Sequence, residues 1–198
     1  MKQSPLIHER VFAGDFAEEY ARRHQKMAEG LGREYARKLL ARGFREGRIL
    51  DAGCGFGATN ILLAQAFPEA ELVGIDLSDP LLRLAGLRAQ EAGLTERVKF
   101  AKADVHQIPY DDNSFDVVIS ANMVHLVAEP VRMLDEIERV LSPSGHLFIV
   151  DLRRSWLGFV EKEMRSALTL PEARALVRQS QLRDGVFSSS LIWWRFEA

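Results

Sequence analysis

The sequence predicts an α/β fold built on a mainly parallel sheet. Three observations carry that prediction. Short apolar runs alternate with helical patterns through the middle of the chain, the mark of βαβ units. Several runs are almost unbroken, VVI within FDVVIS and LFIV within HLFIVD, as expected of parallel strands buried on both faces. The first run enters a glycine cluster, Asp51-x-Gly53-x-Gly55-x-Gly57, and glycine lets a backbone turn tightly and approach a ligand closely.

The elements follow in order. The first strand covers Arg48 to Asp51, and the helical stretch ATNILLAQAF after the glycines stops at Pro68. ELVGID (71–76) is the second strand, with an acidic end. Asp79 reads as an N-cap with Pro80 at the first helical position, and the helix it opens ends near Gly93. RVKFAKAD (97–104) and FDVVIS (115–120) are the third and fourth strands. The helix EPVRMLDEIERVL stops at Ser142-Pro143, and Pro143-Ser144-Gly145 turns the chain into the fifth strand, HLFIVD (146–151). Residues 15–43 read as a helix opened by a capping box of Asp15 and Glu18. Beyond residue 153, Trp156, Phe159, Val160, Met164 and Leu168 recur at helical spacing. A further helix starts at Pro171 and runs to about Ser180, and the tail GVFSSSLIWWRFEA reads as a hairpin turning near its serines. There is no internal repeat.

The chain has 198 residues, 47% hydrophobic and 27% charged, which fits one soluble domain and excludes disorder and collagen-like structure. One cysteine excludes an intrachain disulfide framework and a Cys-rich zinc site, and no metal site is read. No apolar run approaches the roughly 20 residues that span a membrane. The first residues lack the apolar stretch of a signal peptide, so a cytoplasmic location is expected. The net charge of −2 is unevenly distributed. Residues 1–48 hold 11 Lys/Arg against 7 Asp/Glu, residues 49–152 hold 7 against 16, and residues 153–198 hold 8 against 5. An acidic middle thus lies between mildly basic flanks.

The acids fall where chemistry is expected. A dinucleotide fingerprint reads Gly-x-Gly-x-x-Gly, whereas this turn reads Gly-x-Gly-x-Gly. Asp51 would repel a pyrophosphate but suits a cationic amine. Asp76, ending the second strand, can accept both hydroxyls of a ribose. Asp104, just after the third strand, can accept from an adenine amino group. The ligand implied offers an amine, a ribose and an adenine, without phosphate. That disfavours a nicotinamide dehydrogenase.

These segments resemble a family. ILDAGCGFG (49–57), GIDLS (74–78), AKADVHQIPYDDNSFDVVIS (101–120) and LDEIERVLSPSGHLFIVD (134–151) are together similar to class I S-adenosylmethionine-dependent methyltransferases. The likeness is to the small-molecule branch that includes ubiquinone- and menaquinone-biosynthesis enzymes. It covers residues 45–152 well and the flanks loosely. It implies a Rossmann-like, doubly wound seven-stranded sheet of order 3-2-1-4-5-7-6 with the last strand antiparallel, plus short helical covering segments. It implies one domain, with residues 1–44 as a helical cap, 45–152 as the cofactor core, 153–170 as a helical insertion near the acceptor site, and 171–198 as the last helix and hairpin. It implies S-adenosylmethionine as cofactor, S-adenosylhomocysteine as product and a small-molecule methyl acceptor.

Carried over by position, Asp51 and the backbone around Gly53 and Gly55 hold the methionine part. Asp76 binds the ribose, Leu77 packs on the adenine, Asp104 takes its amino group, and the Val105 amide faces the ring. Ser120 to Asn122 border the methionine part. Tyr20, with His24 one turn on, belongs to a helix that covers the cofactor, and His125 matches a position beside the acceptor pocket, which makes it the candidate catalytic residue. Each has a plainer alternative. Gly57 serves helix–strand packing, Cys54 is a small buried residue rather than a nucleophile, and Asn122 and His125 are local caps or packing groups. Trp156, Phe159 and Met164 are either acceptor-pocket lining or core. One of Trp193 and Trp194 should face the core and the other outward, as a homodimer contact. The competing functions are a non-catalytic cofactor-binding module and a methyltransferase acting on RNA or protein. Nucleic acid is disfavoured, because the basic flanks lack a concentrated Lys/Arg tract.

Overall fold

A computed structural model describes residues 14–154 and 166–198, with side chains from Ala17 onward. Helix α1 (Gly14–Ala41) leads into β1 (Glu46–Ala52), α2 (Ala58–Ala66), β2 (Glu69–Asp76), α3 (Asp79–Glu91), β3 (Val98–Lys102) and β4 (Phe115–Ala121). Then come α4 (Pro130–Val140), β5 (Leu141–Leu152), α5 (Leu170–Gln179), β6 (Val186–Ser189) and β7 (Trp193–Glu197). The strands form one sheet in the order β3-β2-β1-β4-β5-β7-β6. Strands β1 to β5 pair in parallel, and β7 runs antiparallel to both β5 and β6. The expected order and the antiparallel last strand are both found.

The alternation of each strand explains the two cores. In β1, Ile49 and Leu50 are both fully buried, on opposite faces. Ile49 packs in a layer with Leu31, Tyr35 and Leu39 of α1 and Leu63 of α2. Leu50 packs with Met133, Leu134 and Ile137 of α4 and Leu176 of α5. The sheet is therefore covered on both sides, which is why its strands read as apolar runs. Helix α1 is held mainly by that burial. Its Lys38 and Arg42 reach Glu197 of β7, but such partly exposed pairs contribute about 0–1 kcal/mol each. Burying Leu39 fully is worth about 1.5–3 kcal/mol, so packing dominates.

Four local expectations shift. Helix α1 already includes Gly14 and Asp15, so it begins ahead of the Asp15–Glu18 box. The cap of α3 is Ser78, whose hydroxyl accepts from the Leu81 N–H, which leaves Asp79 as the first helical residue. Helix α5 carries its own capping box, Thr169 with Glu172, ahead of Pro171. The Pro143-Ser144-Gly145 turn is absorbed into β5 as a bulge. Leu141 pairs with Phe115 and His146 with Val117, so the residues between them leave register.

The terminal hairpin turns between Ser189 and Trp193, near the serines as expected. Trp194 is fully buried and stacks on Phe187 at 5.6 Å. Trp193 does not face outward. It is half-buried against the other core layer, because helices cover both faces of the sheet. Trp156, Phe159, Val160 and Met164 lie outside the described residues. No helix among the described residues is long and apolar enough to cross a membrane.

Candidate functional site

The carboxyl ends of β1, β2, β3 and β5 carry a row of acids, which is the edge where parallel sheets meet ligands. Asp51 lies one residue before the end of β1 and is only 4% exposed. No hydrogen bond reaches its carboxylate among the described residues. Burial, reinforced by the Asp76 charge, pushes it up to about 8. A buried acid without a donor is costly unless a ligand supplies one, and a cationic amine is the partner that would return it to the charged form.

Asp76 ends β2 and is braced by the glycine turn. Its Oδ2 accepts from the Gly55 N–H at 2.9 Å, and its Oδ1 from the Ser78 N–H at 2.9 Å. Burial raises it, while these backbone donors pull the other way. Each oxygen keeps a lone pair for a further donor. Gly53 and Gly55 both adopt positive φ, 94° and 52°, which L side chains rarely adopt. The Gly53 amide donates to Ile75 O at 2.9 Å, which sets the turn against β2. At Gly55 a Cβ would meet nothing within 4 Å, so the turn is open on that side. Gly57 differs, because a Cβ there would come within 2.6 Å of Phe100 and 2.8 Å of Ala85. Its role is close helix–strand packing.

Cys54 lies against Gly74 of β2. Burial, then the Asp51 and Asp76 charges, push its thiol upward. It is therefore a packed thiol and no activated nucleophile.

Beyond β3, Asp104 is half-exposed, and its Oδ1 accepts from the backbone N–H of His106 at 2.9 Å and meets His106 Nδ1 at 2.7 Å. Partial burial raises Asp104, but the His106 contacts and the Arg132 charge outweigh it and hold the acid below its usual range. Val105 is buried, whereas Leu77, between Asp76 and Ser78, is 39% exposed. An exposed leucine at this edge suits a face for a flat ring.

Helix α1 closes over the turn. Tyr20 lies edge-on to Phe56, between Gly55 and Gly57, with ring centroids 6.2 Å apart. It also stacks on His24 at 4.1 Å. The Nδ1 of His24 lies 2.8 Å from the Tyr20 carbonyl, so His24 supports Tyr20 within its own helix. Asn122, just after β4, has φ of 58°, and its Nδ2 points to the Met27 sulfur of α1 at 3.6 Å. Its Oδ1 is buried without a partner among the described residues. The Ser120 hydroxyl donates to Ala52 O at 3.0 Å and serves to tie β4 to β1.

His125 is buried in the loop that follows β4. Its Nδ1 lies 2.5 Å from Asp151 Oδ1, with both side chains almost fully enclosed. Asp151 also accepts from the backbone N–H groups of His125 and Leu152, so it fixes this loop to the end of β5. In the sequence alone Asp151 reads as a strand terminus. The missed signal was its position, a fourth acid at the carboxyl edge of the same sheet.

Asp51 without a donor, Asp76 with spare lone pairs, an open Gly55 and an unpartnered Asn122 oxygen fit a ligand with an ammonium and a ribose. Among the described residues no group of three or more His, Cys, Asp or Glu side chains is arranged to hold a metal ion.

Comparison with known proteins agrees with this geometry. The profile of a family described as a methyltransferase domain matches residues 44–184. Phthiotriol/phenolphthiotriol dimycocerosates methyltransferase of Mycobacterium leprae is 39% identical over 108 residues, 54% of this chain and 38% of that protein. Demethylmenaquinone methyltransferase of Symbiobacterium thermophilum is 30% identical over 147 residues, 73% of this chain and 59% of that protein. The chain thus spans about two to three fifths of the length of these relatives. The crystal structure of a S-adenosylmethionine-dependent methyltransferase from Aquifex aeolicus superposes with a TM-score of 0.70 at 22% identity, covering 82% of this chain and 87% of that one. At that identity the superposition speaks for the fold. The matched profile, with the glycine turn and its acids, shows that the chain belongs to the methyltransferase-domain family.

Proposed function

We propose that this protein is an S-adenosylmethionine-dependent methyltransferase that acts on a small-molecule acceptor. The observation that carries the reading is the buried Asp51 carboxylate, which lacks a donor beside the braced Asp76. When bound, the cofactor supplies a methyl group activated by the sulfonium charge for in-line displacement. The protein's part is to hold, align and exclude water. Asp51 and the Asn122 oxygen take the amino group, Asp76 takes the ribose hydroxyls, and Leu77 and the Val105 amide flank the adenine. Tyr20 and Phe56 close the site beneath α1. Cofactor contacts from Gly53 and Gly55 are made through the backbone.

For an acceptor that arrives protonated, His125 is the base of this proposal. Asp151 meets Nδ1 at 2.5 Å and orients the ring for that role. The names of relatives, which specify a lipid and a quinone, support a small organic acceptor over nucleic acid. The basic flanks suit a neutral or anionic one. A cytoplasmic location and pairing of two copies through the terminal hairpin, where Leu191 and Ile192 are exposed, complete the proposal.

The test is a screen with methyl-labelled S-adenosylmethionine against quinone, phenol and amine acceptors, with RNA and protein as comparison arms. Label transferred to a small molecule is expected. Cofactor binding with no transfer to any arm would point to a binding module, and transfer only to RNA or protein would overturn the acceptor class.

A further inference from the structure

We propose that His106 is a positioning residue that makes the site specific for a 6-amino purine, by holding the Asp104 carboxylate in one orientation. The proposal rests on the cofactor reading above and assigns a task to a residue that reading does not use. Asp104 alone is a poor specificity element. Its side chain is half-exposed, and a freely rotating carboxylate can turn to meet a donor wherever one is offered.

His106 removes that freedom. Its backbone N–H and its ring nitrogen Nδ1 both lie on Asp104 Oδ1, at 2.9 and 2.7 Å. On the far side of the ring, the Glu129 N–H donates to His106 Nε2 at 3.3 Å. The two contacts select one tautomer. Because Nε2 accepts, the hydrogen sits on Nδ1, where it is donated to the carboxylate. The imidazole is thus a strut between Glu129, the N-cap of α4, and the loop after β3. With Oδ1 engaged twice, Oδ2 is the oxygen left to receive a ligand donor. The Ala103 N–H bonds Asp76 O at 3.1 Å, so the same loop is also tied to the ribose acid. The ribose and base acids are therefore held in a set relation.

A fixed acceptor distinguishes adenine from hypoxanthine. The adenine 6-amino group donates to it, whereas a 6-oxo group presents a second acceptor. A mobile carboxylate escapes that conflict by swinging to the N1–H of hypoxanthine, so freeing Asp104 relaxes the choice.

The experiment is calorimetric titration with S-adenosylhomocysteine and with S-inosylhomocysteine. It uses the unmodified protein, His106→Ala, His106→Leu and His106→Asn. The unmodified protein should prefer the adenine ligand by about 10- to 100-fold, the range of one hydrogen bond to a charged group. His106→Ala and His106→Leu should bring the two affinities within about 3-fold of each other. His106→Asn places an amide donor where Nδ1 stood and should keep most of the preference. General damage to the fold weakens both ligands alike and leaves their ratio unchanged. His106→Leu, close in volume to histidine, guards against collapse of the alanine variant. An unmodified protein that binds the adenine ligand without discriminating, or loss variants that retain the full preference, would overturn the proposal. Failure of the unmodified protein to bind S-adenosylhomocysteine at all would instead sink the cofactor reading on which it rests.

Discussion

Asp51 should destabilise the protein it serves. It is buried, no donor reaches it among the described residues, and it is pushed from 3.8 to about 8 by burial and by the Asp76 charge. Because the folded-state value lies above the unfolded one, the folded protein favours the protonated acid. That contribution is fully present below about pH 4 and is lost as pH rises through about 8. At pH 7 the difference amounts to on the order of 4 kcal/mol against folding, at about 1.4 kcal/mol per pH unit. Asp51→Asn removes the titration but leaves a buried amide whose donors cost about 1–3 kcal/mol. The variant should therefore be about 1–3 kcal/mol more stable at pH 7 and should bind S-adenosylhomocysteine much more weakly. The assay is urea denaturation of both proteins at several values between pH 5 and 8, without ligand. The unmodified protein should lose stability relative to the variant as pH rises. Parallel pH dependences across that window would refute the reasoning, because they would mean that Asp51 ionises in the folded protein as freely as in the unfolded chain.

Three further outcomes follow from the geometry. Asp76→Ala removes the brace on the Gly55 amide and the acceptor proposed for the two ribose hydroxyls, so affinity for S-adenosylhomocysteine should fall at least about 100-fold in calorimetry. Asp151→Asn should leave that affinity within about 3-fold but slow transfer to a protonated acceptor by about 100-fold or more, the scale of a general-base contribution. An equal loss in both measurements would assign Asp151 to structure alone. Gly57→Val meets Phe100 and Ala85 at positive φ and should cost about 2–5 kcal/mol from overpacking and backbone strain together. Thermal unfolding near that of the unmodified protein would contradict the packing role.

The parts of the site legible in the sequence are those whose signals are local. The glycine turn follows β1 directly, and the acids at 51, 76 and 104 mark strand ends because apolar runs delimit the strands. Parallel strands need both faces buried, so their runs stand out, whereas the serines mark the hairpin turn only loosely. What escaped is set by contacts across the sheet. His125 and Asp151 are 26 residues apart and meet only because β4 and β5 lie side by side. The His106–Glu129 contact likewise joins two loops that sequence spacing does not relate. The inward turn of Trp193 depends on α1 and α2 covering the second face, which no pattern within the hairpin reveals. The cap of α3 moved by one residue because Ser78 and Asp79 are both good N-caps, and Pro80 is tolerated at either of the first helical positions.

Calorimetric titration of the purified protein with S-adenosylhomocysteine at pH 6, 7 and 8 decides whether the β1–β3 edge holds the cofactor. Saturable one-to-one binding that strengthens from pH 6 to 8 is expected, with protons released as Asp51 gives up its proton to meet the ligand's ammonium group. Absence of binding across that range would contradict the assignment of the β1–β3 edge as the cofactor site. Binding that is indifferent to pH would contradict the role of Asp51 within it.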